Sequence, residues 1–232
     1  MDHIGSFIKM FEDVRMDIQS KRDILLQQNP KWDTSEDIRI RVFNQIFRLL
    51  TSYNISLFFI QSNYALPDRL CNLLSLDNYI SSRSVNFDLH TFCRNGYIYN
   101  LSAVVEAFSR TVADNIGLQV KKEYYSVLTD LFDTLKFNKG NEWKAMMILA
   151  NVRNGMHNNG VHKSNSNDKL RQNPSILYRE NQVTFAHGFP IGGITDDLLA
   201  SISSDIVAYF EMVVQSDKVL EVENIKDISV IF

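Results

Sequence analysis

Helical periodicity is the feature that most constrains the fold of this chain of 232 residues. Over residues 4–28, apolar side chains return every three or four positions, which is the spacing of one face of an α-helix. The same spacing recurs along the chain over residues 34–64, 97–116, 118–137, 142–159 and 195–213. Each such helix has an apolar face to bury, so the pattern predicts a mainly α-helical bundle.

Turn-forming and capping residues predict where these helices begin and end. Asn29-Pro30 stops the first helix. Thr34, with Asp37 three positions later, resembles a capping box that opens the second helix. Pro67 fits the first turn of a third helix, and Gly117 fits the left-handed residue that often ends a helix.

The hydrophobic pattern weakens over residues 81–96, where serine, arginine and asparagine are frequent and a glycine ends the segment. Such a composition is typical of a connection between two parts of a protein. It predicts an N-terminal helical region over residues 1–82 and a helical bundle over residues 83–232, unless the two form one continuous domain. The N-terminal helices are then expected to offer a surface to a protein partner.

A small β element is expected on the C-terminal side. Residues 176–178 and 183–185 are short runs rich in β-prone side chains, and they flank a turn at Glu180-Asn181. This arrangement predicts a β-hairpin. Thr195, followed by two aspartates, is typical of a helix N-terminus and predicts one more helix after the hairpin.

Charge limits the partners of the chain. The formal net charge of −3 argues against a broad electrostatic grip on nucleic acid, because such affinity comes mostly from neutralising phosphates. Any contact with RNA would therefore be local. A solvated loop is the alternative interpretation of the one segment that offers basic side chains for it. These basic residues, diluted by Asp168 and Glu180, are Lys163, Lys169, Arg171 and Arg179.

Neither an export signal nor a membrane span is expected. The N-terminus lacks a basic stretch followed by an apolar run, and the longest apolar clusters, such as residues 55–60, are far shorter than the roughly 20 residues of a span. Cys71 and Cys93 show neither metal nor redox spacing, and no pair of histidines has zinc-ligand spacing with cysteine or acid support. We therefore expect a cytoplasmic protein with reduced cysteines, no metal and no cofactor.

The segment Arg153-Asn154-Gly155-Met156-His157-Asn158-Asn159-Gly160 holds the residues with the most chemical promise. Arg153 and His157 are four positions apart, which places them about 40° apart on one face of a helix. The helix around them is apolar on nearly every side, so we expect it to be buried or to lie at an interface. An arginine in such a place needs an anionic or hydrogen-bonding partner.

Two interpretations of this pair stay open. In the first, Arg153 pairs with an internal carboxylate such as Glu106, and His157 caps nearby carbonyl groups. In the second, the Arg153 guanidinium binds a phosphate, and the His157 imidazole, which titrates near neutral pH, moves a proton. Glu106 itself is one turn from Arg110, and it either forms a surface pair with Arg110 or orients the residues of the motif.

The second interpretation predicts cleavage of RNA without a metal ion. The neighbouring 2′-hydroxyl of RNA serves as the nucleophile, so the protein needs only to position the phosphate, stabilise charge and move protons. Arg153 and His157 would be the catalytic residues, and a two-fold dimer would supply two of each. The supporting residues would be Asn154, Asn158, Asn159 and Glu106, and the RNA-binding residues Lys163, Lys169 and Arg171.

Residues 97–214 resemble the HEPN superfamily, whose helical bundles occur in bacterial toxins and phage-defence proteins. The likeness rests on an Arg-Asn pair after several helices, a histidine at a helix end, an Asn-Asn-Gly segment, and a hairpin before a last helix. Arg153, Asn154 and His157 match the motif of the family, although three residues rather than four to six separate the arginine from the histidine. This form looks most like HEPN-like bacterial proteins of uncharacterised function. The resemblance implies a HEPN-like helical bundle, a homodimer, and cleavage or binding of RNA.

A function of another class also stays open. In that alternative, Arg153, Asn154, His157 and Asn158 form a buried polar network that fixes the helices of a non-catalytic dimerisation or protein-interaction module. The short spacing between the arginine and the histidine favours this alternative. Loss of stability or of assembly, rather than loss of RNA cleavage, would then follow from changes in the motif.

Overall fold

Helices with buried apolar faces dominate the computed structural model, which describes residues 2–32, 35–76, 79–158, 161–163, 173–189 and 194–226. Within these ranges there are eight helices and one two-stranded antiparallel sheet. The helices are α1 (Asp2–Gln28), α2 (Ile38–Ala65), α3 (Pro67–Leu74), α4 (Tyr79–Asn115), α5 (Tyr124–Leu135), α6 (Asn141–His157), α7 (Asp196–Val214) and α8 (Asp217–Leu220). The strands are β1 (Ser175–Tyr178) and β2 (Asn181–Thr184). The prediction of a mainly α-helical bundle with a small hairpin on the C-terminal side is confirmed.

The core is built around α7, because apolar side chains cover most of that helix. α7 packs against α6, α1 and α2, and the ring of Phe210 meets Phe43 of α2 and Phe108 of α4. Tyr209 stacks on Phe132 of α5, with the ring centroids 5.7 Å apart. A helix that is apolar nearly all round is stable in water only when other elements surround it. One cluster of buried residues therefore runs from α1 to α8.

The connection predicted over residues 81–96 is wrong, because α4 runs through this segment without a break. Buried polar side chains hide the helical period there. Asn86, for example, accepts from Nδ2 of Asn63 over 3.3 Å and donates to the carbonyl oxygen of Ile60 over 3.0 Å. Gly96 lies within α4 and has open space where a side chain would be, so it ends no element there. The predicted division after residue 82 thus falls within a continuous helix.

The start of α2 also differs from the prediction. Asp37, rather than Thr34, caps this helix, and its carboxylate accepts from the backbone nitrogen of Arg39 over 2.9 Å. The same carboxylate binds the Arg39 side chain, so the acidic residue serves both as a cap and as the partner of a buried arginine. Thr34 lies outside the described residues.

The ends of the other helices follow the sequence pattern in some places and depart from it in others. Pro67 begins α3, Gly117 follows α4 with a φ of 80°, and the Thr195 side chain caps α7, as predicted. α5, however, begins at Tyr124 rather than at residue 118. α6 begins at Asn141, one residue before the predicted start at residue 142.

The hairpin is present, with its turn one residue earlier than predicted. Tyr178 lies opposite Asn181 in the antiparallel pair, so the turn is Arg179-Glu180 rather than Glu180-Asn181. The Tyr178 hydroxyl donates to the carboxylate of Asp205 in α7, which fastens the hairpin to the core. Of the helices described, none is both long and apolar enough to cross a membrane.

Candidate functional site

The packing of α6 positions Arg153, the first residue of the segment with chemical promise. α6 contacts α4, α7 and β1. Val152 and Gly155, which lie close to Arg153 in this helix, are both buried. Arg153 itself lies at the border between core and solvent, with 30% of its side chain exposed. The prediction that this apolar helix is buried is confirmed by its fully or almost fully buried residues Ala145, Met146, Ile148, Leu149 and Val152.

Arg153 is held by Glu106 of α4. Nη1 of Arg153 donates to Oε2 of Glu106, and only 17% of the Glu106 side chain is exposed. The other oxygen of the same carboxylate, Oε1, accepts from Nε of Arg110 over 2.9 Å. Both pairings considered for Glu106 are therefore present, and one carboxylate lies between two guanidinium groups.

The two guanidinium groups differ in how many of their donors are engaged. Arg110 also donates from Nη1 to the carbonyl oxygen of Lys121 over 2.7 Å and from Nη2 to that of Lys122 over 2.8 Å. These bonds join α4 to the segment before α5. In contrast, Nε of Arg153 is buried and has no hydrogen-bond partner among the described residues. Buried donors usually have a partner, so the guanidinium of Arg153 is incompletely satisfied, whereas all three nitrogens of Arg110 are engaged.

The residues that follow Arg153 form the C-terminal end of α6. His157 is the last residue of the helix, one turn beyond Arg153, and its side chain is outside what the structure describes. Asn158 follows as the C-cap, and its Nδ2 donates to the carbonyl oxygen of Asn154 over 2.8 Å. The Asn154 side chain is exposed. Asn159, to which the helix was expected to extend, lies outside the described ranges.

Only one of the three residues predicted to bind RNA is described. Lys163 is exposed, whereas Lys169 and Arg171 belong to a segment outside the described residues. Lys163 follows the buried His162, whose backbone nitrogen donates to the carbonyl oxygen of Phe189 over 3.0 Å. This bond ties the segment after α6 to the loop after β2. A basic surface beside the end of α6 stays a prediction.

A buried polar cluster that no sequence pattern predicted lies at the N-terminus of α7. Nε2 of His90 in α4 lies 3.1 Å from Oδ2 of Asp196, and the Tyr53 hydroxyl of α2 donates to Oδ1 of Asp196 over 2.6 Å. Tyr53 and Asp196 are 143 residues apart in sequence, so no local spacing reveals the cluster. The one available signal is that Asp196 directly follows the Thr195 cap.

Hydrogen bonds set the charge state of this cluster. Burial acts to raise the pKa of Asp196, but hydrogen bonds from His90 and Tyr53 outweigh it and leave the pKa below its ordinary value. Burial, together with the negative charge of Asp196, raises the pKa of Tyr53. The cluster therefore contains an ionised carboxylate and a neutral phenol at neutral pH.

The fold and the site define a class of protein only broadly. Among the described residues, no group of three or more His, Cys, Asp or Glu is arranged to hold a metal ion, and both cysteines are free thiols. Comparisons with known protein families, with curated proteins and with solved structures find nothing that matches this chain. The chain is thus a mainly helical bundle with a hairpin, and the chemistry of its site has to be argued from its own residues.

Proposed function

We propose that the C-terminal end of α6 binds a phosphate of RNA and cleaves the RNA without a metal ion. One observation carries the proposal. Glu106 holds Nη1 of Arg153, no hydrogen bond to the residues described is made by Nη2, and 30% of the side chain is exposed to solvent. A planar guanidinium with one donor fixed presents its other donors in a defined direction, and this geometry suits the oxygens of a phosphate.

The charge of the group around Glu106 supports an anionic ligand. One carboxylate faces the guanidinium groups of both Arg110 and Arg153, so one positive charge remains uncompensated at the border between core and solvent. Such a local charge attracts a phosphate even though the whole chain has a net charge of −3. The proposed contact with RNA is therefore local.

His157 supplies proton transfer in this proposal. It follows Arg153 by one turn at the end of α6, and residues at this spacing share a face of a helix. An imidazole titrates near neutral pH, which suits it to proton transfer. The 2′-hydroxyl of the RNA attacks the adjacent phosphorus, the bond from phosphorus to the 5′-oxygen breaks, and a 2′,3′-cyclic phosphate and a 5′-hydroxyl result. The proton of the 2′-hydroxyl passes through His157 to the leaving 5′-oxygen, and Arg153 offsets the charge that develops on the phosphate.

Membership of the HEPN superfamily, a cytoplasmic location and a role in phage defence complete the proposal. Their support is the resemblance of residues 97–214, above all the order Arg153, Asn154 and His157 along a helix end. Plating of phage on cells that carry the wild-type chain or Arg153→Ala tests the defensive role. Equal plating on both would contradict it.

Cleavage of a labelled mixed RNA in the presence of a chelator tests the activity. Wild type is compared with Arg153→Ala and His157→Ala, and circular dichroism checks that each variant folds. Arg15→Ala is the matched control, because Arg15 is another part-buried arginine that pairs with a carboxylate, that of Glu12 on α1. We expect each site variant to lose at least about 100-fold of the cleavage rate and the control to lose none. Intact RNA after incubation with wild type contradicts the proposal.

A non-catalytic role is the second candidate, and one observation favours it. Glu106 and Arg110 together join α4, α6 and the segment before α5. In this alternative the group only fixes the helices of an interaction module. Measurement of RNA affinity separates the two candidates, because no affinity in wild type, together with a lower melting temperature of Arg153→Ala, favours the structural role. Affinity that disappears in folded Arg153→Ala favours the RNA site.

A further inference from the structure

A groove runs along the outer edge of β2, between this strand and the start of α7. Its volume is about 460 Å³, within the range of about 300–1,000 Å³ that is usual for binding pockets. All four residues of β2 line one side, and Thr195, Asp197, Leu198 and Ser201 line the other. Among the described residues, none of β1 lines the groove, and β1 packs against α6 instead. The groove therefore follows the edge of the hairpin that β1 does not cover.

The register of the hairpin shows which backbone groups face away from β1. The backbone nitrogen of Phe185 donates to the carbonyl oxygen of Pro174 over 3.0 Å, and these two residues are opposite each other when the register is continued. In an antiparallel pair of strands, such hydrogen-bonded pairs alternate with pairs whose backbone groups point outward. Gln182 and Thr184 lie an odd number of positions before Phe185, so both belong to pairs of the outward kind.

Two backbone N–H groups and two carbonyl oxygens of β2 thus point away from β1. The sheet has two strands among the described residues, and no backbone hydrogen bond to that edge is described for Gln182 or Thr184. A free strand edge of this kind can pair with an incoming extended backbone, which meets donors and acceptors at the spacing of a sheet. An added strand would therefore continue the ladder on the open side of β2.

The side chains along the groove fit a strand that alternates apolar and polar residues. Val183 and Leu198 line the groove and are 5% and 6% exposed, so they form an apolar base. Gln182 and Thr184, on the other face of β2, are exposed and polar. Successive side chains of a strand point to opposite faces of a sheet. Every second side chain of an added strand therefore lies on the same face as Val183, and the others lie in solvent.

The charge of the groove favours a basic partner. Asp197 is exposed and is the one formally charged residue among the described residues that line the groove. Its neighbour Asp196 is engaged by His90 and Tyr53, whereas no ion pair between described residues includes Asp197. Nucleic acid requires Lys or Arg at the contact, and the described lining of the groove has neither. For the same reason, a second copy that used this same surface would bring no cation to Asp197.

We propose that this groove binds an extended basic segment of another protein, which adds a third strand beside β2 and places a Lys or Arg against Asp197. In strand addition, backbone hydrogen bonds provide affinity and side-chain contacts provide specificity. Here Gln182 and Thr184 offer the backbone groups, and Asp197 selects the charge. None of the residues of the groove belongs to the Arg153 site, so the inference holds or fails independently of RNA cleavage.

Binding of the full chain to an array of short immobilised peptides tests the inference. The peptides alternate Thr with varied apolar residues, and one central Thr is replaced by Lys, Arg, Ala or Glu. Wild type is compared with Asp197→Lys. Asp68→Lys is the matched control, because Asp68 is also an exposed acidic residue in the first turn of a helix, α3. The control thus accounts for the effect of the charge change on a helix terminus.

The expected result is a preference that follows the charge of residue 197. Wild type and the control should bind peptides with Lys or Arg at least about 10-fold more tightly than those with Glu, because like charges at a contact repel. Asp197→Lys should show the opposite preference. Asp197→Asn, which removes the charge with little change in size, should show neither.

Methylation of the peptide backbone distinguishes strand addition from other modes of binding. Methyl groups on the amide nitrogens of every second residue block one edge of an extended peptide and leave the other edge free. The best peptide is therefore prepared with each of the two alternating patterns. One pattern should weaken binding by at least about 30-fold, and the other should leave it within about threefold of the unmodified peptide.

Three results would overturn the inference. The first is a wild-type chain that binds no peptide of the array. The second is a charge preference that persists unchanged in folded Asp197→Lys and Asp197→Asn, with folding checked by circular dichroism. The third is an equal effect of the two methylation patterns, which would show that the peptide does not pair through one edge of its backbone.

Discussion

Arg39 and Arg153 each bind a carboxylate, yet they lie in opposite environments. Arg39 is fully buried, and every nitrogen of its guanidinium donates within the protein. Its acceptors are the Asp37 carboxylate and the carbonyl oxygens of Val219, Val222 and Glu223. Arg153 is partly exposed, and the one hydrogen bond described for it runs from Nη1 to Glu106.

The donors that remain explain what each arginine is suited to do. Arg39 ties the start of α2 to the segment after α8, and the backbone bond from Ile38 to Ile225 reinforces the same contact. An arginine bonded on all sides cannot bind a ligand without breaking the structure that holds it. Arg153 is oriented by one bond and keeps further donors, which is the condition that a phosphate site requires. Burial and the number of unengaged hydrogen-bond donors, rather than residue type, therefore separate a structural arginine from a candidate functional one.

The largest effect is expected at the buried Arg39. Arg39→Ala leaves the carboxylate of Asp37 buried without its partner, so we expect the free energy of unfolding to fall by about 3–5 kcal/mol. Urea unfolding followed by circular dichroism measures it. Arg15→Ala, which removes a part-exposed pair, should cost about 1 kcal/mol or less. Similar losses in both variants would mean that the burial of Arg39 has no energetic consequence.

The second prediction concerns the partly exposed Arg153. Arg153→Ala should weaken RNA binding by about 30-fold, because charge-assisted hydrogen bonds to the phosphate are lost. The free energy of unfolding should change by only about 1 kcal/mol, since the pair with Glu106 is near the surface. Fluorescence anisotropy with a labelled RNA and urea unfolding give the two values. An unfolding cost as large as that of Arg39→Ala would assign Arg153 to the structural class.

The third prediction uses the His90, Asp196 and Tyr53 cluster as a case between the two arginines. Asp196→Asn should cost about 1–3 kcal/mol at neutral pH, because a carboxylate that accepts two hydrogen bonds is lost. The pKa of Asp196 is lowered in the folded state. Its ionised form therefore stabilises the fold above about pH 4, the ordinary aspartate value, and the stabilisation is lost as the pH falls through the folded pKa.

Unfolding curves of wild type and Asp196→Asn between neutral and acidic pH check this dependence. The two stabilities should converge as the pH falls. A difference that stays constant across the range would show that the charge of Asp196 does not contribute to stability.

The smallest expected effect belongs to Lys163, which is exposed beyond the end of α6. Lys163→Ala should leave the free energy of unfolding within about 0.5 kcal/mol of wild type. If this lysine contacts a phosphate, the salt dependence of RNA binding should fall by about one unit of slope. Titrations at several salt concentrations measure the slope. An unchanged slope would restrict the RNA contact to Arg153 and its neighbours.

Local pattern was enough to predict some elements and not others. The helix that carries Arg153, the hairpin and the Thr195 cap each depend on residues within a few positions of one another, and all three are present. The segment over residues 81–96 was misread because its buried side chains include polar ones. Asn86 is satisfied by α2, and His90 lies within ion-pair distance of Asp196 in α7.

The candidate site, too, could be predicted from the sequence only in part. The sequence offered Glu106 as one partner of Arg153, since both belong to predicted helices and opposite charges attract. The sequence also indicated Arg110 as a partner of Glu106, but it could not show that both pairings exist at once. The pair of Arg153 and Glu106 spans 47 residues and depends on how α4 and α6 pack.

The sequence by itself determined the helical class, the hairpin and the spacing of Arg153 and His157, because periodicity, capping and turn chemistry act between near neighbours. Only the tertiary structure decided that Arg39 is enclosed, that Arg153 is partly exposed, and that Asp196 is reached by two other helices. The reason is physical: exposure and hydrogen-bond partners depend on which helices pack together, and that packing joins residues far apart in the chain.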